Sequence, residues 1–212
     1  MSKVNLTIDD VPVNAAEGES ILWAALDAGI YIPNLCAIRE RKSPFASCRL
    51  CWVEIEGVDL PATSCTTPVK EGMKVQTRTP RVLRLVRTSF ELLISHHPVD
   101  CARCAKNKKC ELQRIAREFK FKLKPGKFRK LLRELPVDSS HPCFILDPNK
   151  CVLCGRCVWL CNEVQRACAL DFAFRGLNTV ITTSGGKPLG ESDCSACREC
   201  VSVCPVGALI PK

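Results

Sequence analysis

Two stretches constrain this chain more than any other. CVLCGRCVWLC runs from Cys151 to Cys161 and CSACRECVSVC from Cys194 to Cys204, both spaced C-x2-C-x2-C-x3-C. Cysteine makes up 17 of the 212 residues. Thiols at that density either pair with one another or bind metal. Pairing needs an oxidising compartment, and the opening MSKVNLTIDD has neither the apolar run nor the cleavage pattern of a secretory leader. No stretch approaches the ~18 consecutive apolar residues of a membrane span. A cytoplasmic metal-binding chain is therefore expected. Aromatic residues are only 6%, which leaves little large apolar surface for a core and makes metal centres a plausible stabiliser.

The spacing of the two runs selects among metals. Zinc prefers separated pairs of cysteines, whereas three cysteines two residues apart suit one face of an Fe4S4 cube. The second run continues into Pro205, completing the signature of the short bacterial ferredoxins, in which the fourth cysteine of each run ligates the other cluster. One [4Fe-4S] set is then Cys151, Cys154, Cys157 and Cys204, and the other is Cys161, Cys194, Cys197 and Cys200. Two features depart from the short ferredoxins. Asn162 follows Cys161 where they place proline, and a long insert, Asn162 to Asp193, separates the runs.

Two further sets lie upstream. Cys36, Cys48, Cys51 and Cys65 form C-x11-C-x2-C-x13-C. Four thiolates can hold a [2Fe-2S] core, and SCRLC puts two of them on one tight loop. The first gap is longer than the C-x4-C-x2-C of plant-type ferredoxins, and a structural zinc is the competing occupant. His97, Cys101, Cys104 and Cys110, in HPVDCARCAKNKKC, form H-x3-C-x2-C-x5-C. Three cysteines leave a four-donor site one short, and an imidazole supplies the fourth. Replacing an anionic thiolate by neutral histidine would by itself raise a [4Fe-4S] potential. His96 is the alternative donor, and a Cys3His zinc site the alternative metal. Cys143 and Cys168, both with apolar neighbours, read as small buried hydrophobes with no assigned role.

The rest of the chain supports an α+β organisation. VNLTI and VPVNA read as a hairpin turned at Asp9-Asp10. ILWAALDA reads as a helix between an N-cap at Ser20 and Gly29. CWVEIEG, LPATSC and MKVQT read as further strands, in the order of a β-grasp domain over residues 1–78. Thr79-Pro80 opens a helix with Val82, Val86, Phe90 and Leu93 on one face, and Leu112, Ile115, Ala116 and Phe119 mark a shorter one. Together they give a small helical His/Cys3 domain over 79–118. FKFKLKPGKFRKLLR, seven cations with no acid, falls in a basic linker over 119–145. A two-cluster ferredoxin-like domain occupies 146–212. The formal charge of +9 counts cysteine as neutral. Oxidised clusters with their thiolates contribute about −7 by formal counting, leaving about +2. The basicity thus compensates buried anionic centres more than it marks nucleic-acid binding.

NLC…SCRLC…TSC, HPVDCARC…C, DPNKCVLCGRC and DCSACRECVSVCPVGAL, in that order, resemble the N-terminal iron–sulfur region of the large iron–sulfur subunit of respiratory complex I. They equally resemble the iron–sulfur subunits of NAD-linked and electron-bifurcating hydrogenases, and the insert NEVQRACALDFAFRGLNTVITT is similar to the bifurcating version. The resemblance implies one [2Fe-2S] and three [4Fe-4S] clusters on the four sets above. It also implies a relay between a flavin- and NAD(P)H-binding iron–sulfur subunit and a [NiFe]-type hydrogenase. A thioredoxin-like [2Fe-2S] subunit and soluble ferredoxin are further implied partners. Many relatives continue into a catalytic domain, which does not fit before Lys212, and no G-x-G-x-x-G dinucleotide fingerprint is present. The catalytic centres are accordingly expected on other subunits. A formate dehydrogenase, an NADH–NADP transhydrogenase or a complex I-like dehydrogenase would use the same relay. The rival of a different class is a non-redox metal scaffold or nucleic-acid factor, suggested by the basic strip.

Overall fold

The structure, a computed structural model, describes residues 2–212. The chain divides into two compact units, Met1–Phe90 and Glu91–Lys212. This partition is coarser than the four segments expected from the sequence.

In the first unit, β1 (Lys3–Ile8) and β2 (Val11–Ala16) pair antiparallel, with Ile8 opposite Val11. The two intervening residues, Asp9 and Asp10, both take left-handed φ, 50° and 64°. A two-residue hairpin turn of type I′ requires positive φ at both positions, and Asp tolerates it better than most residues. Asp9 adds a tether: its carboxylate accepts from the Thr77 amide at 2.7 Å and the Thr77 hydroxyl at 2.5 Å. β3 (Trp52–Ile55), β4 (Ala62–Thr63) and β5 (Lys74–Gln76) complete a sheet of order β2-β1-β5-β3-β4. Only β1 and β5 run parallel.

Alternate residues of β1, namely Val4, Leu6 and Ile8, join one core with Val13, Val53, Val75 and the buried face of α1 (Ile21–Asp27). Cys51 and Cys65 belong to the same core. Ser20 sits at the N-cap of α1 with extended φ/ψ, but its hydroxyl makes no capping bond; the helix is closed there by the Ser20 carbonyl, which accepts from Trp23 and Ala24. Gly29 follows the helix at φ 77°, the left-handed exit that glycine permits at little cost.

α2 (Pro80–Ser95) crosses the boundary between the units. Thr79 caps it, its hydroxyl accepting from the Val82 amide at 3.1 Å, and Pro80 takes the first helical position. Val82, Val86, Phe90 and Ile94 are buried, whereas Leu93 is only half-buried. The buried stripe thus advances by four residues from Phe90, where the sequence pattern had suggested three.

The second unit contains α3 (Glu111–Glu118), with Leu112, Ile115 and Ala116 inward. The basic strip that follows carries no helix or strand, and Lys120, Lys122, Lys124, Lys127, Arg129 and Lys130 are exposed along it. It is held at Pro125-Gly126 by Glu91, whose carboxylate accepts from the Gly126 and Lys127 amides at 3.3 and 3.1 Å. β6 (Phe144–Leu146) pairs antiparallel with β9 (Leu209–Pro211), bringing the start and end of the ferredoxin-like region together. Between them lie the short helices α4 (Arg156–Trp159) and α5 (Glu199–Ser202). The hairpin of β7 (Asp171–Ala173) and β8 (Val180–Thr182) occupies part of the insert. No helix among the described residues is long and apolar enough to cross a membrane.

The two turn aspartates should respond differently to glycine. Asp10→Gly relieves left-handed strain of about 1 kcal/mol, less the entropy of the added glycine and one long exposed hydrogen bond from Gln76 at 3.4 Å, and so leaves the thermal midpoint nearly unchanged. Asp9→Gly gains the same relief but loses two hydrogen bonds to Thr77, each worth about 1 kcal/mol net, and lowers it. Thermal denaturation of the two variants checks the ranking; an Asp9→Gly chain more stable than Asp10→Gly would contradict it.

Candidate metal centres

In the first unit, Cys36 lies on the loop after α1, Cys48 and Cys51 precede β3, and Cys65 follows β4. All four are buried. The Sγ atoms of Cys36 and Cys48 are 3.4 Å apart. Hydrogen bonding to Cys48 depresses the Cys36 thiol to about 5, while the Cys48 thiol is pushed well above its ordinary 9.0. Cys51 and Cys65 form a second such pair: hydrogen bonding to Cys65 brings Cys51 down to about 7, and Cys65 rises, first by its bond to Cys51. The negative charges of Cys51, Cys36 and Cys48 all act on Cys65, so the two pairs share one site. Arg49, between Cys48 and Cys51, has φ 53°. Ser64, beside Cys65, is fully buried, and its hydroxyl hydrogen-bonds to the Cys51 sulfur and helps lower that thiol.

In the second unit, Cys101 opens a 3-10 turn (Cys101–Arg103), and Cys110 occupies the N-cap of α3. Burial raises the Cys110 thiol, and the charges of Cys104 and Cys101 raise it further. His97 is driven toward its neutral form by burial, and its ring hydrogen-bonds to the Lys150 backbone. Its Nδ1 is buried with no partner. His96 also has a bare buried nitrogen, Nε2, but its Nδ1 is engaged by Ser95 Oγ at 2.9 Å and the Leu92 carbonyl at 3.2 Å. The surroundings separate the two rings. His96 lines an open groove with Leu131 to Ser140, whereas His97 meets Lys150, whose side chain lies, with Cys104 Sγ, beside Gly207.

The ferredoxin-like runs share one backbone. Leu153 and Ala196, each just before the second cysteine, have φ 53° and 56°; Gly155 and Arg198, each just after it, have φ 78° and 62°. Left-handed φ at non-glycine positions costs about 1–2 kcal/mol, and such strain concentrates at functional sites. The turn aims amides at sulfur: the Leu153 N–H donates to Cys151 Sγ at 3.4 Å.

Cys151, Cys154, Cys157 and Cys204 line one small cavity with Leu146, Val152, Ile181 and Val206. Burial is the first cause that pushes Cys151 to about 11, Cys154 to about 12 and Cys157 well above 9.0, and Cys204 adds to each by charge. Burial likewise raises Cys200 to about 12, and there the added charges come from Cys194, Cys197 and Cys161. The structure thus brings Cys204 into the cavity of Cys151, Cys154 and Cys157, and Cys161 within electrostatic reach of Cys200. Among the described residues, no three His, Cys, Asp or Glu side chains converge as a single metal ion requires. The donor sets, crowded in charge and walled by apolar residues, suit a larger cationic core.

Several features had no signal in residue spacing. Around Cys161 the chain forms a π-helical turn, Leu160–Val164, closed by the Gln165 amide on the Leu160 carbonyl. Cys143 is half-buried, and Cys168 is exposed with φ 48°, contrary to the buried role expected of both. The chain folds back after the π turn, so that the amides of Ala167 and Cys168 both reach the Cys161 carbonyl and the Cys168 side chain is left outside.

Comparison with known proteins agrees along the chain. Residues 1–80 match a 2Fe-2S iron-sulfur cluster binding domain. Residues 87–123 match the NADH-ubiquinone oxidoreductase-G iron-sulfur binding region, and 142–210 the ferredoxin-like domain of NADH-quinone oxidoreductase subunit 3. A chain in the crystal structure of an NAD+-reducing [NiFe]-hydrogenase in the H2-reduced state superposes with TM-score 0.88 at 33% identity, covering 100% of this chain and 88% of that one. The chain belongs to the iron–sulfur subunit family of NAD-linked hydrogenases and complex I.

Within the family, it is 40% identical to the NADP-reducing hydrogenase subunit HndD of Solidesulfovibrio fructosivorans over 99% of its length. It is 38% identical to the NADPH-Fe(3+) oxidoreductase subunit alpha of Geobacter sulfurreducens, also over 99%. It spans only 36% and 24% of those two relatives. It carries one [2Fe-2S] domain together with [4Fe-4S]-binding domains.

The raised thiols have a consequence for loading. A thiol must lose its proton to bind metal, and at neutral pH the buried Cys151, Cys154 and Cys200, at about 11 and 12, keep theirs in the metal-free chain. Loading should therefore release protons near pH 7, and loaded sites should become easier to empty as pH falls. Anaerobic reconstitution in weak buffer with a pH indicator measures the release; a proton yield no larger than the incorporated sulfide itself accounts for would show that these thiols are already ionised.

Proposed function

We propose that the chain is an electron-transfer subunit with four clusters. Cys36, Cys48, Cys51 and Cys65 hold a [2Fe-2S] cluster in a β-grasp domain over 1–78. His97, Cys101, Cys104 and Cys110 hold a [4Fe-4S] cluster in a helical domain over 79–118. Beyond the basic linker, the domain over 146–212 holds two more, on Cys151, Cys154, Cys157 and Cys204 and on Cys161, Cys194, Cys197 and Cys200. The grouping of Cys204 with the first run and Cys161 with the second carries this reading, because it gives each site four sulfurs. When bound, such clusters supply one-electron carriers. The chain's own residues supply ligands, burial and amide hydrogen bonds that set potentials, and make or break no substrate bond.

The likeness to a hydrogenase chain that this one nearly covers supports a place between a flavin- and NAD(P)H-binding iron–sulfur subunit and a [NiFe]-type hydrogenase. A thioredoxin-like [2Fe-2S] subunit and soluble ferredoxin fit as further partners, and electron bifurcation and a cytoplasmic location fit the same reading. The complex I relatives favour a second setting, a quinone-linked dehydrogenase using the same relay.

Iron and acid-labile sulfide analysis with EPR of the reduced protein tests the proposal. One two-iron and three four-iron clusters require about 14 iron atoms per chain; zinc at two sites with no reducible signal would overturn it. His97→Ala should change the spectrum of one [4Fe-4S] cluster and leave the others alone, while His96→Ala should change none. The reverse result would move the ligand by one residue.

A further inference from the structure

Gly207 lies three residues beyond Cys204, between buried Val206 and Ala208. It is not among the glycines with positive φ, so its backbone does not demand glycine. Its surroundings do. A Cβ there would lie 2.6 Å from Cys104 Sγ, 3.6 Å from Lys106 Cβ and 3.7 Å from Lys150 Cδ. Unstrained contacts between such atoms fall at about 3.5–4.0 Å, so only the cysteine sulfur conflicts. The segment is fixed from both sides. The Glu111 amide, just after Cys110, donates to the Pro205 carbonyl at 2.9 Å, and the Asp147 amide donates to the Ala208 carbonyl at 2.8 Å. Val206 and Ala208 line the cavity of Cys151, Cys154, Cys157 and Cys204, and Gly207 does not. Pro205 to Ala208 is therefore a thin wall with one candidate cluster site on each side.

We propose that Gly207 is a positioning residue for Cys104. The ferredoxin-like region thereby forms part of the His97/Cys101/Cys104/Cys110 site, which is complete only once that wall has packed against it. The proposal rests on the cluster reading above and assigns a ligand-placing role to a residue that ligates nothing. Any side chain at 207 displaces the Cys104 sulfur.

Two variants on opposite faces of the wall test this in the full-length protein. Gly207→Ala should shift or abolish the EPR signal of the His-ligated cluster, with the other clusters retained. Val206→Ala should leave that signal unchanged and perturb a ferredoxin-like one. An unchanged His-type signal in Gly207→Ala, or the same response to both variants, overturns the proposal. Thermal midpoints give a second reading that needs no cluster signal. Gly207→Ala should lower the midpoint by several degrees in the wild-type background and leave it unchanged when added to Cys104→Ala, which removes the conflicting sulfur. An equal loss in both backgrounds overturns the proposal. A Gly207→Ala chain that fails to accumulate still supports it if the double variant accumulates as Cys104→Ala does, and overturns it if the double variant also fails. Absence of any His-type signal in the wild type would refute the cluster reading, leaving the midpoint comparison to decide the packing.

Discussion

Gathering four sulfurs in a low-dielectric pocket is unfavourable until positive charge sits between them. Burial first, and then the charges of the neighbouring sulfurs, push Cys154 and Cys200 to about 12. A folded chain that holds such groups together has been shaped for a cationic core. The second unit depends on this more than the first. Its helices α4 and α5 are four residues each and its sheets have two strands. Elements so short do not hold together by their own hydrogen bonding. Sulfur–iron bonds would crosslink them at Cys157 and Cys200, near the start of each helix, and at Cys161 and Cys204 beyond its end. The first unit has a conventional sheet-and-helix core, and Cys51 and Cys65 are built into it.

The legible parts of the chain were those set by period and by residue type. Alternation placed β1 and β2, Thr79-Pro80 placed the start of α2, and cysteine spacing singled out the candidate donors. Contacts between residues far apart in sequence left no trace in spacing. Gly207 looks like part of an ordinary turn after a Cys-Pro, yet its missing side chain matters because of Cys104, over a hundred residues earlier. Ser20 has the right residue type for a cap, but its hydroxyl makes no bond there. Leu93 and Ile94 are both apolar, and only packing decides which one the helix buries.

Local symmetry and its breakdown explain the departures from the short ferredoxins. The repeated runs match in spacing and in left-handed positions, including Arg198 where its counterpart is Gly155. Arginine bears backbone strain that glycine avoids, so the turn is imposed by the arrangement of sulfurs and not by residue preference. The symmetry ends at the fourth cysteine. After Cys204, Pro205 cannot donate to a helix, and the chain leaves through the bend and turn that carry Gly207 into β9. Around Cys161 the helix relaxes into a π turn, which uses one more residue per hydrogen-bonded loop than an α turn. That swings the chain outward into the insert and leaves Cys168 on the surface. The two halves thus have different neighbours: the β7–β8 insert for the first, the Cys104 side for the second. The module is symmetric in how it gathers sulfur and asymmetric in what it touches.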